Sequence, residues 1–198
     1  PHRLIRRQRQ MCIRDRSGDL AEPNSFLTIE DFGSPIIATR DAHGKFKAFA
    51  NVCSHRGAQI ETEKNGIKSK FSCPFHGWTF DNNGSLVGYP KSDQFGTIDR
   101  DCYGLTELPS IEKYGFLWVH PKSDGKINLK NLLGDKLEKE FAAWDFDKLV
   151  LSNEEEYKTD MNWNLAIDTF GETYHFSVLH KDSLFQSCLL YTSDAADE

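Results

Sequence analysis

No apolar run in the 198-residue sequence approaches the roughly 18 residues that a membrane-spanning helix needs. Cysteine is scarce, since the five residues are odd in number and scattered, which suits a reducing cytoplasm better than a disulfide scaffold. Basic residues are outnumbered, with 24 Lys and Arg against 30 Asp and Glu. We therefore expect a cytoplasmic globular protein that binds neither a membrane nor nucleic acid.

The two ends of the chain differ in composition from the rest. Residues 1–16 hold six Arg and one acidic residue, whereas residues 187–198 hold three acidic residues and no basic one. The first segment lacks the apolar stretch of a secretory signal and the Ser-rich pattern of a transit peptide. Both ends resemble translated adapter sequence, so we expect them to be foreign segments that pack against nothing. The natural protein would then extend further at both ends.

Two short motifs combine cysteine with histidine in the first half of the chain. Cys53 and His55 form a Cys-x-His pair, and Cys73 and His76 form a Cys-x-x-His pair. Such a set can hold either a tetrahedral zinc ion or a Rieske [2Fe–2S] centre, in which two His replace two Cys on one iron. Residues two apart in extended chain point the same way, which suits two metal atoms side by side. The spacing favours the cluster, and structural zinc remains the alternative.

Short strands with Gly-containing turns surround these motifs. Alternating apolar residues predict the strands 26–29, 35–40, 45–51, 67–72, 78–81, 85–90, 103–108 and 114–121. From Asn128 the apolar residues recur three and four apart, which predicts a helix, and residues 149–160 resemble a strand. We therefore expect an α+β protein, with an all-β domain over residues 17–122. Residues 123–186 would begin a second, α+β domain.

The two motifs also carry a family resemblance. C-S-H-R-G at residues 53–57 and C-P-F-H-G-W at residues 73–78 resemble the Rieske loops of ring-hydroxylating oxygenase large (alpha) subunits. Cytochrome bc Rieske proteins have an extra Cys in each loop, whereas this sequence has Ala58 and Phe75 there. The resemblance implies a [2Fe–2S] cluster on Cys53, His55, Cys73 and His76. It also implies the oxygenase or ferredoxin branch of Rieske proteins.

A second motif, M-N-W-N-L-A-I-D-T-F-G-E-T-Y-H-F-S-V-L-H at residues 161–180, resembles the mononuclear-iron helix of the same oxygenases. The resemblance implies that His175 and His180 bind a non-haem Fe(II), and that Glu172 links a Rieske histidine to this iron. Thr169 departs from the family pattern, which usually has Asn there. The third ligand, a late Asp in the family, has no counterpart in the sequence, and the resemblance does not support Asp182 in its place. The second domain is therefore expected to be a truncated, helix-grip-like catalytic domain.

The spacing of the three candidate residues supports part of this assignment. Glu172 and His175 are three apart, so one helical face can present both. His175 and His180 are five apart, which is about 140° around a regular helix. They can meet on one metal only if the helix distorts or ends, for example near residues 176–178.

The family resemblance also implies how the whole protein works. Electrons from NAD(P)H would arrive through a reductase, sometimes through a ferredoxin, and pass from the [2Fe–2S] cluster to the iron. The iron would activate O₂ to hydroxylate an aromatic or related organic substrate, or to demethylate an amine. Family members form homotrimers or α₃β₃ assemblies in which Glu172 would accept a hydrogen bond from His76 or its neighbour. The alternative is a Rieske ferredoxin-like electron carrier. Such carriers end shortly after the strand that ends at His120, so the additional residues with His175 and His180 disfavour this alternative.

Overall fold

The structure, a computed structural model, describes residues 12–30, 33–96, 98–149 and 160–183. The chain forms two compact units, residues 1–150 and residues 151–198. The first unit therefore extends past residue 122, where we placed the end of the all-β domain. Within the described ranges, no helix is both long and apolar enough to cross a membrane.

The first unit is built mainly from antiparallel strands, as the sequence predicts. The strands within the described residues are Cys12–Arg16 (β1), Ser25–Ile29 (β2), Ile36–Arg40 (β3), Phe46–Ala50 (β4), Asn65–Ile67 (β5), Lys70–Ser72 (β6), Thr79–Asp81 (β7), Leu86–Gly88 (β8), Glu107–Leu108 (β9), Ser110–Lys113 (β10) and Phe116–Val119 (β11). They form a five-stranded sheet in the order β5-β2-β3-β4-β9 and two three-stranded sheets in the orders β6-β7-β8 and β1-β11-β10.

The five-stranded sheet is covered on both faces. Alternate residues of a strand point to opposite faces, so Phe26 and Leu27 of β2 enter different apolar clusters. The same alternation places Phe49 of β4 in the cluster that also contains Cys53 and Cys73. This burial holds the start of the first Cys-His motif, which follows β4 directly, against a packed core.

The expected strand over residues 67–72 is in fact two strands in different sheets. Asn65–Ile67 pairs with β2 of the five-stranded sheet, whereas Lys70–Ser72 pairs with β7 of a three-stranded sheet. The chain therefore leaves one sheet and joins the other between residues 67 and 70. Because β6 leads straight into the second Cys-His motif, this change of sheet brings that motif over to the first one.

Strand β10, Ser110–Lys113, was not predicted. It pairs with β11 through a two-residue turn at Tyr114 and Gly115, whose φ angles are 58° and 74°. Positive φ at both central residues is the geometry of a tight hairpin turn that matches the twist of the strands. Tyr at a positive φ is uncommon, so the Tyr-Gly pair did not signal a hairpin in the sequence.

The expectation that residues 1–16 pack against nothing is wrong for Cys12–Arg16. These residues form β1, which pairs antiparallel with β11 from Cys12 opposite Val119 to Arg16 opposite Phe116. The physical reason is that β11 has a free edge on the side away from β10, and a strand edge offers unpaired N–H and C=O groups to any extended segment. Residues 1–11 and 187–198 lie outside the described residues.

Helices carry the rest of the described chain. Helix α1, Leu129–Ala143, confirms the helical segment predicted from Asn128, and it is interrupted by a kink at Gly134, where φ is 68° and ψ is 169°. The Asn128 side chain accepts a hydrogen bond from the Asn131 N–H at 3.0 Å. Helix α2, Trp163–Gly171, opens the described part of the second unit and is capped by Asn162. The strand expected over residues 149–160 falls almost entirely outside the described residues. The predicted α+β class, with mostly antiparallel strands and few helices, is confirmed.

Replacing Gly84 by Ala should destabilise the first unit. Gly84 has a φ of 81°, and a Cβ there would lie 2.5 Å from Cε1 of Phe49, which is itself buried. We expect the free energy of unfolding in urea to fall by about 2–4 kcal/mol, because overpacking adds to backbone strain. Gly44→Ala, at the same φ but with nothing within 4 Å, should lose only the part due to strain. Equal losses in both variants would contradict this account.

Candidate functional site

The two Cys-His motifs form loops with the same backbone hydrogen bonds. In each loop, residues 53–58 and 73–78, the Cys N–H donates to the carbonyl five residues later, at 2.8 Å and 2.7 Å. The Cys carbonyl accepts the N–H of the Gly four residues later, at 2.9 Å in both loops. Each Gly has a positive φ, 75° and 70°, which a side chain would strain. The sequence therefore builds one loop geometry twice.

The two histidines occupy different positions within this shared geometry. His55 is two residues after its Cys, whereas His76 is three residues after its own. Phe75 stands in the second loop where His55 stands in the first. The imidazole rings nevertheless meet, with their centroids 4.7 Å apart and their planes inclined by 72°. The two rings lie at different depths, since His55 is half-buried and His76 is exposed.

The two cysteines lie together in the core. Cys53 and Cys73 are each 3% exposed and both are free thiols. Burial raises the pKa of the Cys53 thiol, and the Cys73 side chain, within hydrogen-bonding reach, raises that pKa further. Such a pair of buried thiols is unreactive by itself, and a bound metal supplies the positive charge that thiolates need.

His55 has an unsatisfied atom that matches a metal ligand. Its Nδ1 is buried and has no hydrogen-bond partner. Burial lowers the pKa of His55, and the nearby His76 and Arg56 lower it further, which favours the neutral ring that metals bind. A buried polar atom without a partner is costly, so a metal bound at Nδ1 would offset that cost.

The four side chains are brought together in pairs rather than around one point. Thiol lies beside thiol and imidazole beside imidazole. Across the part of the chain that the structure describes, no three His, Cys, Asp or Glu side chains converge as they would on one metal ion. A tetrahedral zinc site needs four ligands around one ion, whereas each iron of a Rieske centre takes only two protein ligands. The geometry therefore suits the two-iron group better than zinc.

A polar network that the sequence analysis missed supports the first loop. The buried Asn51 side chain donates to the Glu61 carbonyl at 2.7 Å and accepts the Ile60 and Glu61 N–H groups at 3.2 and 3.0 Å. Lys68 Nζ contacts a Glu61 carboxylate oxygen at 2.7 Å. Burial alone would raise the pKa of Glu61, but the hydrogen bond from Lys68 holds it below its usual value. In the sequence, Asn51, two residues before Cys53, was the signal for this network.

The second motif places its three candidate residues in one short segment. Helix α2 ends at Gly171, and Glu172 is extended with φ −113° and ψ 148°. The Glu172 carboxylate accepts the Tyr174 N–H at 2.6 Å and the His175 N–H at 3.3 Å, and it also hydrogen-bonds His175 Nδ1. The rings of His175 and His180 lie with their centroids 5.4 Å apart. The helix therefore ends before the two histidines, which lets them approach.

This break lies earlier than we expected, at residues 172–173 instead of 176–178. Residues 174–177 continue as a 3₁₀ turn, and Glu172 satisfies the first N–H groups of that turn. The hydrogen bond from His175 lowers the pKa of Glu172, so its carboxylate stays ionised. Glu172 therefore forms its side-chain hydrogen bond with His175 of its own chain. Its role as a link to His76 of another subunit stays a prediction.

No carboxylate joins His175 and His180 in a set of three metal-binding side chains within the described residues. Asp168 and Asp182, both nearby in the sequence, are exposed. The structure therefore pairs the two histidines but gives no third ligand in the described ranges.

Two family models match the stretches of chain that contain the two motifs. Residues 10–112 match the Rieske [2Fe-2S] domain family, and residues 146–195 match the ring hydroxylating alpha subunit (catalytic domain) family. The 2-halobenzoate 1,2-dioxygenase large subunit of Burkholderia cepacia is 33% identical over 168 residues, which cover 81% of this chain and 36% of that protein. The carnitine monooxygenase oxygenase subunit of Acinetobacter baumannii is 29% identical, over 86% of this chain and 46% of its own.

A solved structure shows the same similarity. A quaternary ammonium Rieske monooxygenase, described in connection with carnitine oxidation and inter-subunit electron transfer, superposes with a TM-score of 0.73 at 26% identity. The match covers 85% of this chain and 46% of that one. The chain spans between a third and a half of the length of these relatives.

Proposed function

Because this chain belongs to the Rieske oxygenase alpha-subunit family, whose Rieske domain matches residues 10–112, we propose that it is the electron-receiving part of an oxygenase. Cys53, Cys73, His55 and His76 would hold a [2Fe–2S] cluster. When bound, that cluster supplies one-electron transfer. The observation that carries the proposal is the pairing of thiol with thiol and imidazole with imidazole in two matching loops.

Each ligand would have a distinct task. The buried cysteines hold the cluster inside the core, where loss of a thiolate to water is disfavoured. His55 accepts the metal through the unpartnered Nδ1, and its half-buried ring separates the site from solvent. His76 is exposed and offers its ring edge to a partner, so we assign the passage of electrons to that side.

His175 and His180 would hold a mononuclear Fe(II), which supplies O₂ activation when bound. The carboxylate of Glu172 accepts a hydrogen bond at His175 Nδ1, which leaves Nε2 of that ring for the metal. The third, carboxylate ligand would come from a part of the protein beyond the described residues. This division assigns electron storage to the first unit and substrate chemistry to the second.

The electrons would come from NAD(P)H through a reductase, with or without a ferredoxin. We propose a homotrimer or an α₃β₃ assembly, in line with the inter-subunit electron transfer described for the quaternary ammonium monooxygenase. The substrate would be a small organic molecule, since the relatives act on 2-halobenzoate and on carnitine. We propose its hydroxylation or N-demethylation with O₂, in the cytoplasm.

The second candidate is a Rieske ferredoxin-like carrier without catalysis of its own. The [2Fe–2S] loops alone are compatible with it. The match of residues 146–195 to the catalytic domain family and the approach of His175 to His180 favour the oxygenase.

The metal content of the purified 198-residue chain tests the proposal. We expect two irons and two acid-labile sulfides per chain in the first unit, and a Rieske-type electron paramagnetic resonance signal after reduction. The physical reason is that two separated ligand pairs match two metal atoms. A colourless protein that carries one zinc ion per chain would overturn the proposal.

A further inference from the structure

An indole ring covers one face of the candidate ligand His55. Trp78, the last residue of the second loop, lies with its ring 4.7 Å from the His55 ring and inclined by only 4°, which is a stacked arrangement. Trp78 is 2% exposed. The other contacts of His55 with aromatic rings are edge-on, to His76 at 72° and to Phe95 at 78°. The stack is thus the contact that fixes the plane of this imidazole.

The indole is itself held in place from several sides. The rings of Tyr89, Phe95 and Tyr103 pack against Trp78 with centroid distances of 5.6, 6.2 and 5.6 Å. The Trp78 carbonyl accepts the Cys73 N–H, so its backbone also closes the second loop. A large ring packed on several sides cannot change its orientation, so the indole of Trp78 determines the orientation of the His55 imidazole.

The exposed histidine has no such cover. Phe75 lies against His76 with centroids 3.9 Å apart and planes inclined by 38°, but Phe75 is 63% exposed. The two loops therefore present one shielded imidazole and one that faces solvent. This difference arises between loops of equal backbone geometry, and it follows from which side chain stands at each position.

We propose that Trp78 is a positioning residue for the cluster: it holds the His55 ring in one plane and keeps water from that face. The proposal rests on the function given above, because it concerns the same cluster. Trp78 would thereby lower the reduction potential. Addition of one electron gives the cluster an extra negative charge, and exclusion of water makes that charge less favourable.

Two variants of Trp78 distinguish the effect of a stacked aromatic ring from the effect of side-chain volume. Trp78→Phe keeps a flat ring over His55, whereas Trp78→Leu removes it. Trp118→Leu is the matched control, since Trp118 is 0% exposed and its ring packs against those of Phe116 and Phe141. All three are compared with the wild-type chain for iron and sulfide content, reduction potential, and the nitrogen hyperfine couplings of the reduced cluster.

We expect Trp78→Leu to shift the oxidised-to-reduced equilibrium up to about tenfold towards the reduced form, which is about 59 mV for a one-electron couple. The nitrogen coupling of one histidine should broaden, because its ring is no longer held in one plane. Trp78→Phe should shift less, and Trp118→Leu not at all. Failure of Trp78→Leu alone to assemble the cluster would also support the role.

The proposal is overturned if Trp78→Leu keeps the cluster with wild-type potential and couplings, or if Trp118→Leu shifts them equally. The second result would mean that general loosening of the fold, and not the stack, sets the potential. A wild-type chain without any cluster would overturn the proposed function, and the role of Trp78 with it. The two failures are therefore distinguished by the wild-type spectrum.

Discussion

Cys73→Ser should remove the visible absorbance, the iron and the acid-labile sulfide from the first unit, and Cys53→Ser should do the same. Both thiols are 3% exposed and lie beside each other in the core. A serine hydroxyl does not ionise near neutral pH and is a hard ligand, so it is a poor substitute for a thiolate on iron. We expect nearly complete loss of the cluster, because two thiolates are the only anionic protein ligands in the set.

The control for this experiment is Cys102, a free cysteine outside both loops. Cys102 is exposed, and its Sγ donates to Asp99 Oδ2 at 3.4 Å. Cys102→Ser should therefore keep the full iron and sulfide content, measured by colorimetric assay together with the visible spectrum. Full loading of Cys73→Ser, or loss of the cluster in Cys102→Ser, would contradict the ligand assignment.

The loops were predictable because their constraints are local. The spacing of cysteine, histidine and glycine within each loop determines where φ is positive, and both loops close with the same backbone hydrogen bonds. The unequal depth of His55 and His76 was not predictable in the same way. It depends on Trp78 crossing from the second loop to cover the first, which is a contact between distant parts of the sequence.

The strand pattern shows the same division. Residues 67–72 alternate like one strand, but alternation does not tell which partner each residue pairs with, and the structure divides them between two sheets. Strand β1 was not predicted because the unusual composition of residues 1–16 led us to interpret them as a foreign segment that packs against nothing. Strand β1 forms because it pairs with the free edge of β11. That edge can be identified only once the arrangement of the sheet is known.

The end of α2 illustrates a competition that spacing alone does not settle. The sequence predicts that the helix must distort between His175 and His180 if both bind one metal. It did not predict that the Glu172 carboxylate would take up the N–H groups of Tyr174 and His175 and start a new turn. Acceptance of backbone N–H groups by a side chain competes with the next helical hydrogen bond, and the outcome depends on the surroundings.

Iron bound at His175 and His180 should be lost on mild chelation, whereas the irons of the cluster should stay. In the described residues the two imidazoles have no third metal-binding partner. Two neutral ligands give a weak and poorly selective site, because a carboxylate both adds charge and fixes facial geometry. The 198-residue chain should therefore reduce its cluster but turn over no substrate. The measurement is iron per chain before and after a mild chelator, alongside oxygen consumption.

Variants of the second motif identify the source of any iron that resists chelation. His175→Ala should leave the cluster iron unchanged, since the cluster ligands lie in the first unit. If a third iron persists in the wild-type chain and is lost in Asp182→Asn or Asp168→Asn, a nearby carboxylate completes the site and our account is wrong. A chain extended to the length of the relatives should hold this iron firmly and consume O₂ with its substrate. Retention only in that longer chain would locate the third ligand outside the described residues.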